Sequence, residues 1–293
     1  MLTISGVSKR LGGKPILDNI SLSVAEGSVF GLVGVNGAGK STLLRCICGV
    51  YTPDSGTVTL DGTDVIQNPA AREDILYVSD DPWYPHGATV ERLKEFYRSF
   101  YRLDEAAYQK YLGLFGLDPK KPISTFSKGM KRQTSLLFAL AVHPKLLLLD
   151  EVFDGLDPLV RYDFKKALAE LMEEEHLTVV ISSHNLKELE DVSDSYGLLE
   201  EGRVLTWGDL IASKENVNKY QMAFPVAKTR ADFEGFDLMR FSAEGRVVTL
   251  VIRGKQEEIV NQLEALSPLM LDVLPVSFEE LFIYEADRRG DHA

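Results

Sequence analysis

The run Gly34-Val-Asn-Gly-Ala-Gly-Lys40-Ser-Thr42 constrains this chain more than any other feature in it. It fits G-x-x-x-x-G-K-[ST] without a mismatch, and it lies between a compact apolar run, 29–33, and a stretch with helical spacing, 40–48. Glycines at 34, 37 and 39 permit backbone angles that turn successive N–H groups inward. A helix opening at Lys40 adds the positive end of its dipole. The candidate phosphate ligands are therefore Gly34, Asn36, Gly37, Ala38, Gly39, Lys40, Ser41 and Thr42. The loop would act through its amides, Lys40 through an ammonium that reaches β- and γ-phosphates, and Ser41 through a hydroxyl offered to Mg²⁺.

A strand–loop–helix of this kind needs a sheet to stand in. Residues 75–78, 146–149 and 178–181 are short, apolar and largely branched, and helical patterns follow at 158–175 and 185–192. That alternation predicts an α/β core with a parallel sheet covered on both faces. The first 30 residues read as short strands, and 57–60 ends in the turn dipeptide Asp61-Gly62, which adds an antiparallel β subdomain. Helical patterns at 89–101, 104–115 and 127–142 make a helical insertion at about 86–142. The pattern changes again at 207–214. Residues 215–293 read as a small α+β unit with strands at 246–252 and 270–276 and helices at 256–266 and 278–285. The expected domains are 1–210 and 215–293.

Composition narrows the function. Thirty-two Lys+Arg against 44 Asp+Glu leave a net charge of −12, and neither side of residue 210 is basic, so a nucleic-acid partner is not expected. The longest strictly apolar run, 136–142, falls far short of the about 20 residues that span a bilayer. No basic start followed by an apolar stretch marks a secretory signal. Cys46 and Cys48, two apart, would face different sides of a helix and neither bridge nor bind metal, which suits a reducing, cytoplasmic setting.

The run 146–149 ends in Asp150-Glu151. At the end of a buried strand Asp150 can hold Mg²⁺ through water, and Glu151, sent to another side, can orient or deprotonate a water. With these residues in place the chain resembles the ATP-binding cassette family over roughly 1–210. Phe126-Ser127-Lys128-Gly129-Met130, with its serine 23 residues before Asp150, occupies the signature position and keeps Ser127 and Gly129 while departing at three of five places. The resemblance implies that Ser127 and Gly129 dock the γ-phosphate of an ATP held by an opposite subunit. Gly155-Leu156-Asp157 follows as the family's D-loop does, and His184, in Ser182-Ser183-His184, looks like its switch histidine. Two departures stand out. Leu11 takes the place of the aromatic residue that stacks on adenine, and Asp80 the place of a glutamine. Asp80 is either a metal- or water-contacting residue or part of a solvated acidic loop. Trp83-Tyr84-Pro85 is either a partner-receiving surface or local core of the insertion.

The resemblance implies a P-loop ATPase subunit with ATP and Mg²⁺ as cofactors and Lys40, Glu151 and His184 as its catalytic residues. Metal contacts would come from Ser41, Asp150 and Asp80. Its partners would be a transmembrane permease and a second ATPase subunit, like or unlike, and it would attach to the inner face of the membrane through that permease. Ser-Lys-Gly-Met and Asp80 resemble exporter-type bacterial cassettes. The alternatives are a soluble non-transport ATPase of the same family and a weakly hydrolysing regulatory module. A GTPase is not expected, because Asn218-Lys219 is followed by Tyr220-Gln221 rather than by x-Asp. The segment 276–282 resembles the closing helix of some transport cassettes. The C-terminal unit itself carries no catalytic constellation and is a packing, regulatory or dimer-contacting module.

Overall fold

The computed structural model describes residues 1–210, 216–277, 279–281 and 283–284. The chain divides into two units, Met1–Trp207 and Gly208–Ala293.

In the first unit, β1 (Leu2–Leu11) and β2 (Lys14–Val24) form a hairpin that β4 (Ser55–Leu60) and β5 (Thr63–Asp64) extend into an antiparallel sheet of order β2-β1-β4-β5. These first strands are longer than the sequence suggests, at 10 and 11 residues. The reason lies in the pairing. The β1–β2 register slips between Ile4 and Val7, again before Lys9 and again before Arg10. Each slip breaks the two-residue alternation by which a strand is read.

The second sheet has the order β10-β9-β3-β8-β7-β6, from β3 (Val29–Val33), β6 (Ile75–Val78), β7 (Leu146–Asp150), β8 (Thr178–Ser183), β9 (Ser195–Glu200) and β10 (Arg203–Asp209). β9, β3, β8, β7 and β6 run parallel. Their inward residues are almost wholly buried, as expected where helices cover both faces. The helices are α1 (Lys40–Ile47), α2 (Val90–Arg98), α3 (Glu105–Leu114), α4 (Lys128–Ala141), α5 (Pro158–Glu175) and α6 (Leu186–Glu190). The apolar run 136–142 is core, with every residue of it essentially inaccessible on or just past α4. No helix among the described residues is long and apolar enough to cross a membrane. α2 meets α4 through Tyr97 and Phe138, whose rings stack with centroids 4.3 Å apart.

The second unit is an antiparallel sheet of order β12-β13-β11-β14, built from β11 (Val217–Ala223), β12 (Leu238–Glu244), β13 (Val247–Arg253) and β14 (Met270–Leu274). Helix α7 (Gln256–Glu264) buries Ile259 and Leu263 against Tyr220, Met222, Leu250 and Ile252. β9, β10, β11 and β12 were not evident in the sequence. β9 is buried on both faces and shows no alternation, while β11 sets Asn218, Lys219 and Gln221 among its apolar residues and blurs its own period. The expected helix at 278–285 includes residues outside those described.

Candidate nucleotide site

Three neighbouring strands deliver the site. β3, β8 and β7 lie side by side and parallel, with Val33 opposite Ser183 and Asp150 opposite Ser182. The loop opening at Gly34, the carboxylates at 150–151 and the segment 182–184 therefore emerge together at the carboxyl ends of the strands, where open α/β sheets bind ligands.

The loop is shaped for backbone approach. Gly39 caps α1 in the left-handed region, φ 109°, and no side chain caps the helix or places an acid in its first turn. Its first amides are thus left to a ligand. A Cβ on Gly39 would lie 2.9 Å from a Leu17 methyl and 3.0 Å from the Ile16 carbonyl oxygen, and one on Gly34 would lie 2.3 Å from the Leu199 carbonyl oxygen. Glycine is required at both positions.

Lys40 is buried, 5% exposed, and folds back across the loop. Its ammonium donates to the carbonyls of Gly34 (2.6 Å) and Val35 (3.3 Å) and makes an ion pair with Glu151 Oε1 at 3.0 Å. Glu151 itself is left-handed, φ 47°. Its N–H donates to Ser182 O (3.2 Å) and Oγ (3.1 Å). Its other oxygen meets His184 Nδ1 at 2.9 Å and accepts the His184 N–H at 3.3 Å. Burial pushes the Glu151 carboxyl up, but the Lys40 ammonium and then His184 outweigh it and hold the group below the usual range. Glu151 is therefore ionised at neutral pH.

Asp150 sits beneath the surface, 0% exposed. One oxygen accepts from Ser182 Oγ at 2.6 Å and the other from Tyr77 Oη at 2.9 Å. Burial and Asp150 push the Tyr77 phenol far up, so it remains a donor. Ser127 caps α4, its hydroxyl accepting the Met130 N–H at 3.1 Å. Gly129 lies near the Gly155 carbonyl, and a Cβ there would sit 3.6 Å away. Asp157 caps α5 and accepts the Leu159 N–H at 2.9 Å.

Not every expected residue converges. Leu11 ends β1 at the hairpin tip, half-buried, two positions beyond the register at which Leu17 pairs with Lys9 and abuts Gly39. Half-buried Ile16, whose carbonyl faces Gly39, is the apolar residue beside the loop that sequence reasoning passed over. Asp80 is exposed, and its carbonyl accepts from Arg132. The aromatic cluster splits. Trp83 is 82% exposed, whereas Tyr84 donates to Lys131 O at 2.7 Å and pairs with Ser135 Oγ at 2.6 Å. Burial pushes the Tyr84 phenol up to about 12. Trp83, Tyr84, Pro85, Arg92, Phe96 and Tyr97 line a groove of about 390 Å³.

A strand–loop–helix whose amides, lysine, glutamate and histidine converge in this way defines an ATPase of the P-loop class. Comparison with known proteins gives the family. Residues 17–154 match the family model described as ABC transporter. The ABC transporter ATP-binding protein YtrB of Bacillus subtilis (strain 168) is 32% identical over 285 residues, covering 97% of each chain. The lantibiotic transport ATP-binding protein SrtF of Streptococcus pyogenes is 30% identical over 207 residues, 70% of this chain and 89% of that one. A solved ATP-binding subunit of an ABC transporter superposes with a TM-score of 0.68 at 28% identity, over 73% of this chain and 92% of that one. The chain belongs to the ABC transporter family as an ATP-binding subunit, and the members of that family are ATPases.

Proposed function

We propose that the chain is a Mg²⁺-dependent ATPase that works as a sandwich dimer and drives a separate transmembrane permease from the cytoplasmic face of the membrane, as an exporter. The observation that carries the reading is the convergence of Lys40, Glu151 and His184 on the loop at Gly34. The triphosphate takes the Lys40 ammonium from the Gly34 and Val35 carbonyls and from Glu151. Glu151, ionised and then free of Lys40, orients and deprotonates the water that attacks the γ-phosphate in line. His184 hydrogen-bonds the transferred phosphate, and Ser127 and Gly129 of a second subunit close the site. Most of the acceleration comes from positioning and charge neutralisation.

The donor set suits Mg²⁺. It is all oxygen, from the Ser41 hydroxyl and the Asp150 carboxylate, whose two hydroxyl partners fix its orientation and leave lone pairs on both oxygens. When bound there, the ion would supply positive charge that offsets the charge of the phosphates. Asp80 is proposed as a contact to it through water.

The groove beside Trp83 is the proposed permease contact. Phe96 and Phe100, 59% and 62% exposed, continue its apolar surface beyond Trp83. The name of SrtF gives lantibiotic transport without a direction; the export reading rests on the exporter-type Ser127-Lys-Gly-Met130 run and Asp80. The experiment is a pull-down from native membranes, with ATP turnover measured beside a Lys40→Ala control. A multi-span membrane protein retained by the wild type and lost from Trp83→Ala is the expected result. Retention of ribosomes instead would replace the transport reading with the soluble one.

A further inference from the structure

Arg132 has no role in any of the motifs, yet it is a charged side chain buried beside the site, 3% exposed on α4. Its guanidinium donates through Nη1 to the carbonyls of Glu151 (2.5 Å) and Asp154 (2.7 Å), and through Nη2 to the carbonyl of Asp80. Three carbonyls from two loops, one after β6 and two positions of the one after β7, are thus gathered on one planar fork, a task for which a guanidinium is suited and an ammonium is not. The contact with Glu151 matters most. That residue is held in the left-handed region at φ 47°, which a side chain other than glycine adopts only when its surroundings impose it. Ser182 fixes the peptide on its amino side and Arg132 the carbonyl on its other side.

We propose that Arg132 is a positioning residue for hydrolysis: its guanidinium holds the Glu151 backbone in the conformation that aims the carboxylate into the phosphate loop, and ties it to the segment that begins at Asp80. The proposal rests on Glu151 being the base. α4 is the same helix on which Tyr84 is anchored, at Lys131 and Ser135 on either side of Arg132. The segment behind the proposed permease groove and the proposed base therefore share one rigid element.

The test uses the full chain with saturating MgATP and compares Arg132→Lys and Arg132→Met, each alone and combined with Glu151→Gln. In the wild-type background Arg132→Met lowers kcat about 100-fold, the scale of a misplaced catalytic group, and leaves KM for ATP within about 3-fold. Arg132→Lys, which keeps a charge but reaches fewer carbonyls, recovers about 10-fold of that loss. In the Glu151→Gln background neither substitution costs more than about 3-fold, because the residue through which Arg132 acts is already gone. Equal losses in both backgrounds, or a raised KM at unchanged kcat, overturn the proposal. If Arg132→Met does not fold, Arg132→Lys decides alone, and wild-type kcat in that variant overturns the proposal. Turnover by the wild type that vanishes in Lys40→Ala secures the underlying reading of the site, so a failure of Arg132 would not be confused with a failure of that reading.

Discussion

Replacing Glu151 by Gln tests the geometry most directly, because it predicts opposite changes in two quantities. The Glu151 carboxylate has two parts to play. In the proposed mechanism it activates water, and in this structure it holds the Lys40 ammonium 3.0 Å away in a site where the two side chains are 5% and 13% exposed. The bare attraction of unit charges at that distance is about 5.5 kcal/mol at an effective dielectric near 20, and desolvation of both groups offsets much of it. A net worth of about 1.5–3 kcal/mol, typical of hydrogen bonds to charged groups, is the reasonable range. ATP must displace that interaction to recruit Lys40. Removing it should tighten ATP binding by about 10- to 150-fold, while loss of the base lowers turnover by about 10²–10⁴-fold. Equilibrium binding of MgATP, followed by fluorescence or calorimetry, supplies the first number and phosphate release the second. Size-exclusion chromatography with ATP should also show a dimer that the wild type does not retain. Weaker or unchanged ATP affinity would refute the argument that Glu151 competes for Lys40. Wild-type turnover would remove Glu151 from catalysis.

Three further outcomes are expected. Leu11→Tyr supplies an aromatic face and should tighten ATP about 2- to 10-fold, from the about 0.5–1.5 kcal/mol of an aromatic pair; inorganic triphosphate should bind it as it binds wild type, and unchanged ATP affinity would put the base beside Ile16 instead. Gly39→Ala forces a Cβ to within 2.9 Å of Leu17 in a left-handed residue, costing about 1–2 kcal/mol of stability in thermal unfolding and at least about tenfold in ATP affinity, about 1.4 kcal/mol; wild-type binding would show that the loop is not the cradle. In the second unit Lys219 and Glu280 pair at 2.7 Å; hydrogen bonding to Lys219 holds the carboxyl below its usual range and hydrogen bonding to Glu280 holds the ammonium above its own. The carboxylate's contribution is present above about pH 4.3 and lost as pH falls through its lowered value, and the ammonium's is present below about pH 10.4 and lost as pH rises through its raised value. Glu280→Gln should therefore be less stable by about 0.2–1 kcal/mol on the plateau between, with the gap closing at both extremes; a gap that persists at pH 2 would mean packing, not charge.

The helices of the insertion were legible because their caps and periods are local. Thr89, Asp104 and Ser127 each begin a helix and each accepts an amide from its first turn. The phosphate loop was legible for the same reason, since its glycines are required by the backbone angles and close approaches of a single turn. The bulged hairpin was not, because a register slip is a relation between two strands and leaves no period in either. Arg132 offered one faint signal: it lies four residues before Leu136, on the same face of the helix as that buried apolar residue. The sequence could not say what it meets, because its partners are backbone carbonyls, which any residue supplies.

The amino-acid order by itself determined that this chain carries an anion-binding bend between a strand and a helix, a carboxylate pair at a strand's end and a histidine after another, since each is a property of a few consecutive residues. Only the tertiary structure decided that Glu151 is held between Lys40 and His184, that the Asp80 carbonyl accepts from Arg132, and that one arginine gathers the loops around the site. Those facts depend on the order β3-β8-β7 across the sheet and on the packing of α4 beside it. They arise from contacts between residues far apart along the chain, whose geometry no local pattern encodes.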